Sequence, residues 1–427
     1  MLLPRCLLFA CLFPGIWLVP RPANGQTFTN LYSFGGYQGD ARQPQIPLAI
    51  SPDDGVLYGT TYFGGTLFYG AVFSLAPPAS AGGSWTETVL WNFGAAGDGQ
   101  YPIGGVLLGP GGVIYGTAGG GAYGQGTLYA LAPPASSGGA WTETLLYSFT
   151  GGRDGAGPQG ALAIDKKGVL FGATSGGGTA NWGAVFSLSP PVSTGAPWTE
   201  ATLHSFTPGD GLHPTAGVVI GSGGVLYGST VEGGSAGLGA VFSVTPPASP
   251  GGPWSETIIH SFTGSPGDGV DSFANVTLGG DGVLYGMTTA GGSARGGTVF
   301  SLTPSGLQGG DWTETILYNF GSGNPKSEGW EPRGGLVLSG ETGALYGTTE
   351  YTASGPNDNG ILYGVLFELT PPAPPESAWT LHVLHTFAET DGANPYAGLV
   401  RGGGGILYGT TQNGGDWSLG AVFSFKP

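Results

Sequence analysis

The chain has 427 residues, only 9% of them charged, and its 27 acidic against 11 basic side chains give a net charge of −16. That balance excludes a surface built for nucleic acid or anionic lipid, both of which it would repel. The 88 glycines and 34 prolines would suit disorder, but 12% aromatic residues recurring at fixed positions exclude it, because each recurrence brings apolar area to offset ordering entropy.

Residues 1–25 stand apart from the rest of the chain. Arg5 gives a basic start, Cys6 to Val19 is mostly apolar, and Ala23-Asn24-Gly25 offers small residues before a cleavage point at Gln26. This predicts a secretory signal peptide and a secreted product, extracellular or periplasmic, since the run is interrupted by Pro14 and is short for a membrane span. Cleavage would remove Arg5 and Arg21 and shift the net charge to −18. It would also remove Cys6 and Cys11, so that no disulfide or cysteine metal site remains.

From residue 26 to 427 one domain is expected. Gly55-Val56-Leu57-Tyr58-Gly59-Thr60-Thr61 opens a phrase whose second glycine returns as Gly116, Gly172, Gly228, Gly286, Gly347 and Gly409. Units of about sixty residues, too small to bury a core alone, predict a repeat architecture. Each unit reads as four strands. Strand A is a small apolar segment such as 105–108, B is the glycine phrase, C follows the pattern of 70–75, and D that of 85–93. Glycine turns join A to B, and Pro-Pro segments such as Pro77-Pro78 close the unit. The chain begins with a lone D at 28–34 and ends with an A-B-C set at 398–425. This predicts an all-β, seven-bladed β-propeller of four-stranded blades, closed by the N-terminal strand completing the last blade.

The LYGTT, GxVF and LYSF segments resemble the GloVer tandem repeats of bacterial "choice-of-anchor" secreted proteins, and the resemblance spans the chain after the signal. It implies an exported or surface protein and carries little further function. The Gly-Gly pair followed by an aromatic and a tryptophan is more faintly similar to kelch propellers.

Asp-Gly turns recur between D and A at Asp98, Asp154, Asp210, Asp268 and Asp391. These carboxylates are expected at the channel rim, where a ring of them would bind a cation or sugar hydroxyls; capping of the turn is the plainer explanation. His204, His260 and His385 take the place filled elsewhere in strand D by Tyr32, Trp91, Tyr147 and Tyr318, so they read as aromatic stand-ins, and no metal site is expected. The glutamates of the Trp-Thr-Glu-Thr segments read as solvated. No catalytic set or cofactor motif emerges; calcium would suit the acidic surface, but no calcium loop is present.

Aromatics of the B-to-C loops, Phe68, Tyr69, Tyr123, Trp182, Tyr363 and Trp417, vary between units and suit sugar stacking or packing between loops. The sixth unit departs most, with a long loop from Glu350 to Tyr363 and a preceding link, 321–334, that drops Asp-Gly. Trp330 and Tyr351 as stacking surfaces, with Arg333, Asp358 and Asn359 as polar contacts, form the leading ligand site. The expected function is a monomeric binding scaffold for a glycan or protein partner. A structural surface protein, or an enzyme acting on polysaccharide, is the alternative.

Overall fold

A computed structural model describes residues 25–427 apart from 81, 137, 194, 265, 307–310, 323–327 and 353–362. The expected signal peptide therefore lies, save Gly25, outside the described residues. Among the described residues no helix is long and apolar enough to cross a membrane.

The strands form seven antiparallel blades in the order A-B-C-D. The first contains Ala49–Ile50, Leu57–Thr61, Ala71–Ala76 and Thr86–Asn92, and five more follow the same plan. In the seventh, Val400–Arg401, Leu407–Thr411 and Ala421–Lys426 supply A, B and C, and the outer strand is Thr27–Ser33 from the other end of the chain. It pairs from Thr27 with Lys426 to Ser33 with Ala421, so the ring closes as the fragment count requires. Strand A is shorter than its apolar segment, only two paired residues in each blade, because its first half runs along the axial cavity instead of pairing.

The recurring aromatics explain how blades adhere. The phenylalanine after each strand D packs edge-on against a strand C aromatic of the next blade, as in Phe34 with Phe73 at 5.1 Å and Phe206 with Phe242 at 5.0 Å between centroids, the partner being Tyr129 in the second blade and phenylalanine in the others. The strand B aromatic meets the tryptophan of the following blade, as in Tyr58 with Trp141 at 6.3 Å. Phe73 is fully buried, and such a side chain contributes about 2–3 kcal/mol. The glycine of the repeated phrase makes room for it: a Cβ on Gly59 would lie 2.6 Å from the Phe73 ring.

Each D-to-A link also touches the end of strand B in the next unit. Ala41–Arg42 pairs with Phe63–Gly64, and single bridges join Leu212 to Glu232, Trp330 to Tyr351 and Ala393 to Asn413. Links and B-to-C loops thus open on one face of the ring, around the axis.

Candidate functional site at the axial mouth

Every link starts with a carboxylate that pins the strand it has just left. A bulge in strand D, between Val72 and Phe73 of its partner in the first blade, re-aims the chain just before the polar aromatic. That side chain then bonds the link carboxylate: Tyr32 to Asp40 at 3.1 Å, Trp91 to Asp98 at 3.4 Å, Tyr147 to Asp154 at 3.0 Å. His204 with Asp210 and His385 with Asp391 are each at 3.1 Å, and His260 with Asp268 at 3.2 Å. Backbone N–H groups of the turn donate to the same carboxylates, as Thr263 does to Asp268 at 2.6 Å. The sixth link obeys the rule as well. Tyr318 donates to Glu328 at 2.5 Å, so Glu328-Gly329 stands where the first link has Asp40-Ala41 and the others Asp-Gly, a substitution that the sequence pattern does not reveal.

The structure therefore places Asp98, Asp154, Asp210, Asp268 and Asp391 against the outer strands; none of them is among the residues lining the axial cavity. The strand D glutamates are a correction. They are partly buried in the seam between blades, not solvated, because strand D of one blade lies over the link carboxylate of the one before. Glu314 comes within 3.4 Å of His260. Burial, reinforced at each by a neighbouring aspartate, raises the pKa of Glu87, Glu143, Glu256 and Glu314 to about 7. In the sixth blade the position is Leu381, and in the seventh Phe28, which stacks on His385 at 3.7 Å.

Two seams bring metal-ligating atoms together, His204 with Asp210 and Glu256, and His260 with Asp268 and Glu314, each set within 4.8 Å. Burial lowers the pKa of His204, whereas at His260 the contacts with Asp268 and Glu314 outweigh burial and raise it. Both sets could chemically hold a divalent ion. Tyrosine and tryptophan make the same bond in other seams, so the arrangement is primarily a fastening of the ring.

The axial cavity, about 260 Å³, is built differently. Five residues after each link carboxylate the chain reaches its wall, contributing in turn Gln45, Ile103, Gln159, Thr215, Phe273, Arg333 and Tyr396. Seven equivalent positions thus carry six residue types. Arg333 is the one cation among them. Its guanidinium lies 4.9 Å from the Phe273 ring and 5.3 Å from that of Tyr396, donates to the Tyr396 hydroxyl at 3.3 Å, and pairs with Glu350 and, at 3.7 Å, with Glu331. Gln159 donates to Ser175 at 3.0 Å.

Two residues earlier on every link the backbone is left-handed: Gln43, Tyr101, Gly157, His213, Asp271, Glu331 and Asn394 have φ between 50° and 63°. Folding alone favours glycine or asparagine there, and other side chains cost about 1 kcal/mol. Only blades three and seven use them, while Asp271 is the next most tolerated choice. Elsewhere the position carries His213, of a type that also tolerates this conformation, and Gln43, Tyr101 and Glu331, side chains that the backbone does not ask for. His213 bonds the Ser175 carbonyl at 2.8 Å and packs 5.4 Å from Trp182 of the preceding loop.

Of the residues singled out in the sixth unit, Arg333 reaches the cavity. Trp330 and Tyr351 are joined by backbone bonds of 2.8 and 3.2 Å, so link and loop converge beside the mouth. That pairing is the register found in the other blades, not an irregularity. Trp330 is half-buried, its ring over Gly321, and among the described residues its buried indole nitrogen has no hydrogen-bond partner. Asp358 and Asn359 lie outside the described residues. Among the loop aromatics Phe68, Tyr69, Tyr123 and Trp417 are exposed, while Trp182 and Tyr363 are partly buried.

The chain belongs to the Gloeobacter/Verrucomicrobia repeat family, whose pattern matches residues 20–242 and 193–423. None of the curated protein sequences matches it. It is similar to the periplasmic gluconolactonase of Pseudomonas aeruginosa, with 15% identity, a TM-score of 0.52 and coverage of 85% of this chain and 95% of that one. It is also similar to an ancestral GH74 enzyme, with 12% identity, a TM-score of 0.52 and coverage of 93% of this chain and 51% of that one. At such identities the likeness establishes the propeller fold alone.

Proposed function

We propose that this Gloeobacter/Verrucomicrobia repeat protein is an exported binding scaffold that seats a glycan or protein partner over the axial mouth, on the face where links and B-to-C loops open. The observation that carries this reading is the set of left-handed link residues: the backbone is the same in every blade, yet Gln43, Tyr101 and Glu331 stand where glycine would fold best. Side chains kept against local preference, next to a cavity wall that also differs from blade to blade, suit recognition of an asymmetric ligand. The sixth blade supplies one edge of the seat, with Trp330 and Tyr351 as stacking surfaces beside Arg333. Asp358 and Asn359, on the long loop of the same blade, complete the proposed polar contacts.

The test uses the protein from Gln26 onward on a glycan array and in affinity capture from a cell extract. Once a partner is held, the double variant Trp330→Ala, Tyr351→Ala should weaken it about fivefold or more, with an unchanged melting temperature. Unchanged affinity in the folded double variant would remove the sixth blade from the site.

A further inference from the structure

One sector of the mouth differs in chemistry from the rest. At the boundary of the first two blades, Tyr62, Phe63, Tyr69 and Tyr101 form a cluster, with Tyr62 stacked on Tyr101 at 5.0 Å and Phe63 and Tyr69 set edgewise to Tyr101 at 5.7 and 5.4 Å. Phe68 extends it beside Arg42, whose guanidinium lies 5.9 Å from the ring. The equivalents of Tyr62 and Phe63 in the second blade are Gly119 and Gly120, and in the third Ser175 and Gly176, so the fold does not require aromatics here.

Tyr62 and Tyr101 are half-buried at the base of this cluster, and Phe63, Phe68 and Tyr69 are exposed on it; two observations indicate that the surface is kept for display. Phe68 is 57% exposed at φ 64°, a left-handed position filled by Gly124 and Gly237 in two other blades and by Asn181, Arg295 and Ser418 in three more, so that Phe68 is the one apolar side chain among the described equivalents. A bulky residue in that conformation is strained, and an exposed one gains almost nothing from burial in return. Tyr101 is held left-handed in the same way, at φ 50°. Further, among the described residues the hydroxyls of Tyr62, Tyr69 and Tyr101 make no hydrogen bond to the protein. Three free phenols beside exposed ring faces offer what a pyranose uses, an apolar surface for its C–H face and donors or acceptors for its hydroxyls. The net charge of −16 disfavours an anionic ligand, and Arg42 beside Phe68 disfavours a cationic one, so the patch suits an uncharged ligand.

We propose that Tyr62, Phe63, Phe68, Tyr69 and Tyr101 form a carbohydrate platform that binds a neutral polysaccharide, its sugar rings lying on the aromatic faces beside the axial mouth. The proposal deepens the binding-scaffold reading by naming the ligand class, and it places contacts on the first two blades where that reading has Trp330 on the sixth.

Affinity electrophoresis of the protein from Gln26 onward, through gels containing a soluble β-glucan, xyloglucan, galactomannan or a neutral galactan, tests it directly. At least one polysaccharide should retard the protein. Phe68→Gly and Tyr101→Asn, each installing a residue that another blade uses at that position, should each weaken retardation about fivefold, with melting temperatures equal to or above that of the unaltered protein. A structural role would instead lower the melting temperature. Retardation by none of the four, or full retardation of the double variant, would overturn the platform. If the double variant is fully retarded while the Trp330 and Tyr351 variant is not, the scaffold reading stands and only the platform falls. Capture of a protein partner with no polysaccharide bound likewise defeats the platform while leaving the scaffold.

Discussion

Asp98 and Tyr101 lie three residues apart on one link, yet they obey opposite rules. At the Asp98 position every blade has a carboxylate, and every one is bonded to the outer strand behind it. At the Tyr101 position every blade has the same backbone conformation and no two of the seven residues are alike. Repetition marks the first as a fastening that each seam needs to close the ring. Variation on fixed geometry marks the second as a place where the side chain is free of the fold and available for something else.

The largest effect should come from breaking a fastening. Asp268 accepts from His260, from the Thr263 backbone and hydroxyl, and from its neighbour Gly269. Asp268→Ala leaves those partly buried donors without a partner, and the expected loss is about 3 kcal/mol, read as a lowered denaturation midpoint. A loss under about 1 kcal/mol would mean that the fastening contributes little beyond local turn geometry.

A smaller effect, spread over several seams, is expected from pH. The glutamates Glu87, Glu143, Glu256 and Glu314 have pKa values raised from 4.5 to about 7 by burial and by their seam neighbours. A carboxyl whose folded pKa lies above its unfolded value binds its proton more tightly when folded. Its contribution is therefore complete below about pH 4.5 and is lost as pH rises through 7. The melting temperature should fall between pH 5 and pH 8, and Glu314→Gln, which mimics the protonated form, should flatten that slope. The groups facing Glu314 are His260 and Asp268; the pKa of His260 is itself raised, burial being outweighed by its contacts with Asp268 and Glu314, so its proton adds to the same loss and this seam should titrate more steeply than that of Glu143, which faces Asp98 without a histidine. A melting temperature that rises over the same range would contradict the seam account.

One side of this contrast is legible in the amino-acid sequence. The recurrence of Gly59 and its equivalents counts the blades, and the orphan strand at 28–34 tells how the ring closes, because each is a statement about chain order. The seams are less legible. Glu87 and Glu143 read as solvated because their neighbours belong to the adjacent blade, more than forty residues away in sequence at Asp40 and Asp98. Glu328 is hidden by an insertion that moves it relative to the Asp-Gly pattern. The strained positions of Tyr101 and Phe68 have no signature at all, since φ is not written in composition; aligning the links on their prolines, Pro44, Pro102, Pro158, Pro214, Pro332 and Pro395, lines up the variable residues without showing the strain. Trp330 stands out in the sequence because its unit is irregular, whereas its backbone pairing is the regular one.

The smallest expected effect is also the sharpest test of the comparison. Gln43 occupies the left-handed position of the first link at φ 57°, three residues after the buried Asp40. Replacing it with glycine relieves about 1 kcal/mol of backbone strain, while the greater freedom of glycine in the unfolded chain costs about 0.5–1 kcal/mol. The two nearly cancel. Gln43→Gly should therefore leave stability within about 0.5 kcal/mol of the unaltered protein in a urea titration, although the same exchange within a strand would cost about 1 kcal/mol. A loss above about 1 kcal/mol would show that the Gln43 side chain supports the fold, and its retention at that blade would then not be for recognition.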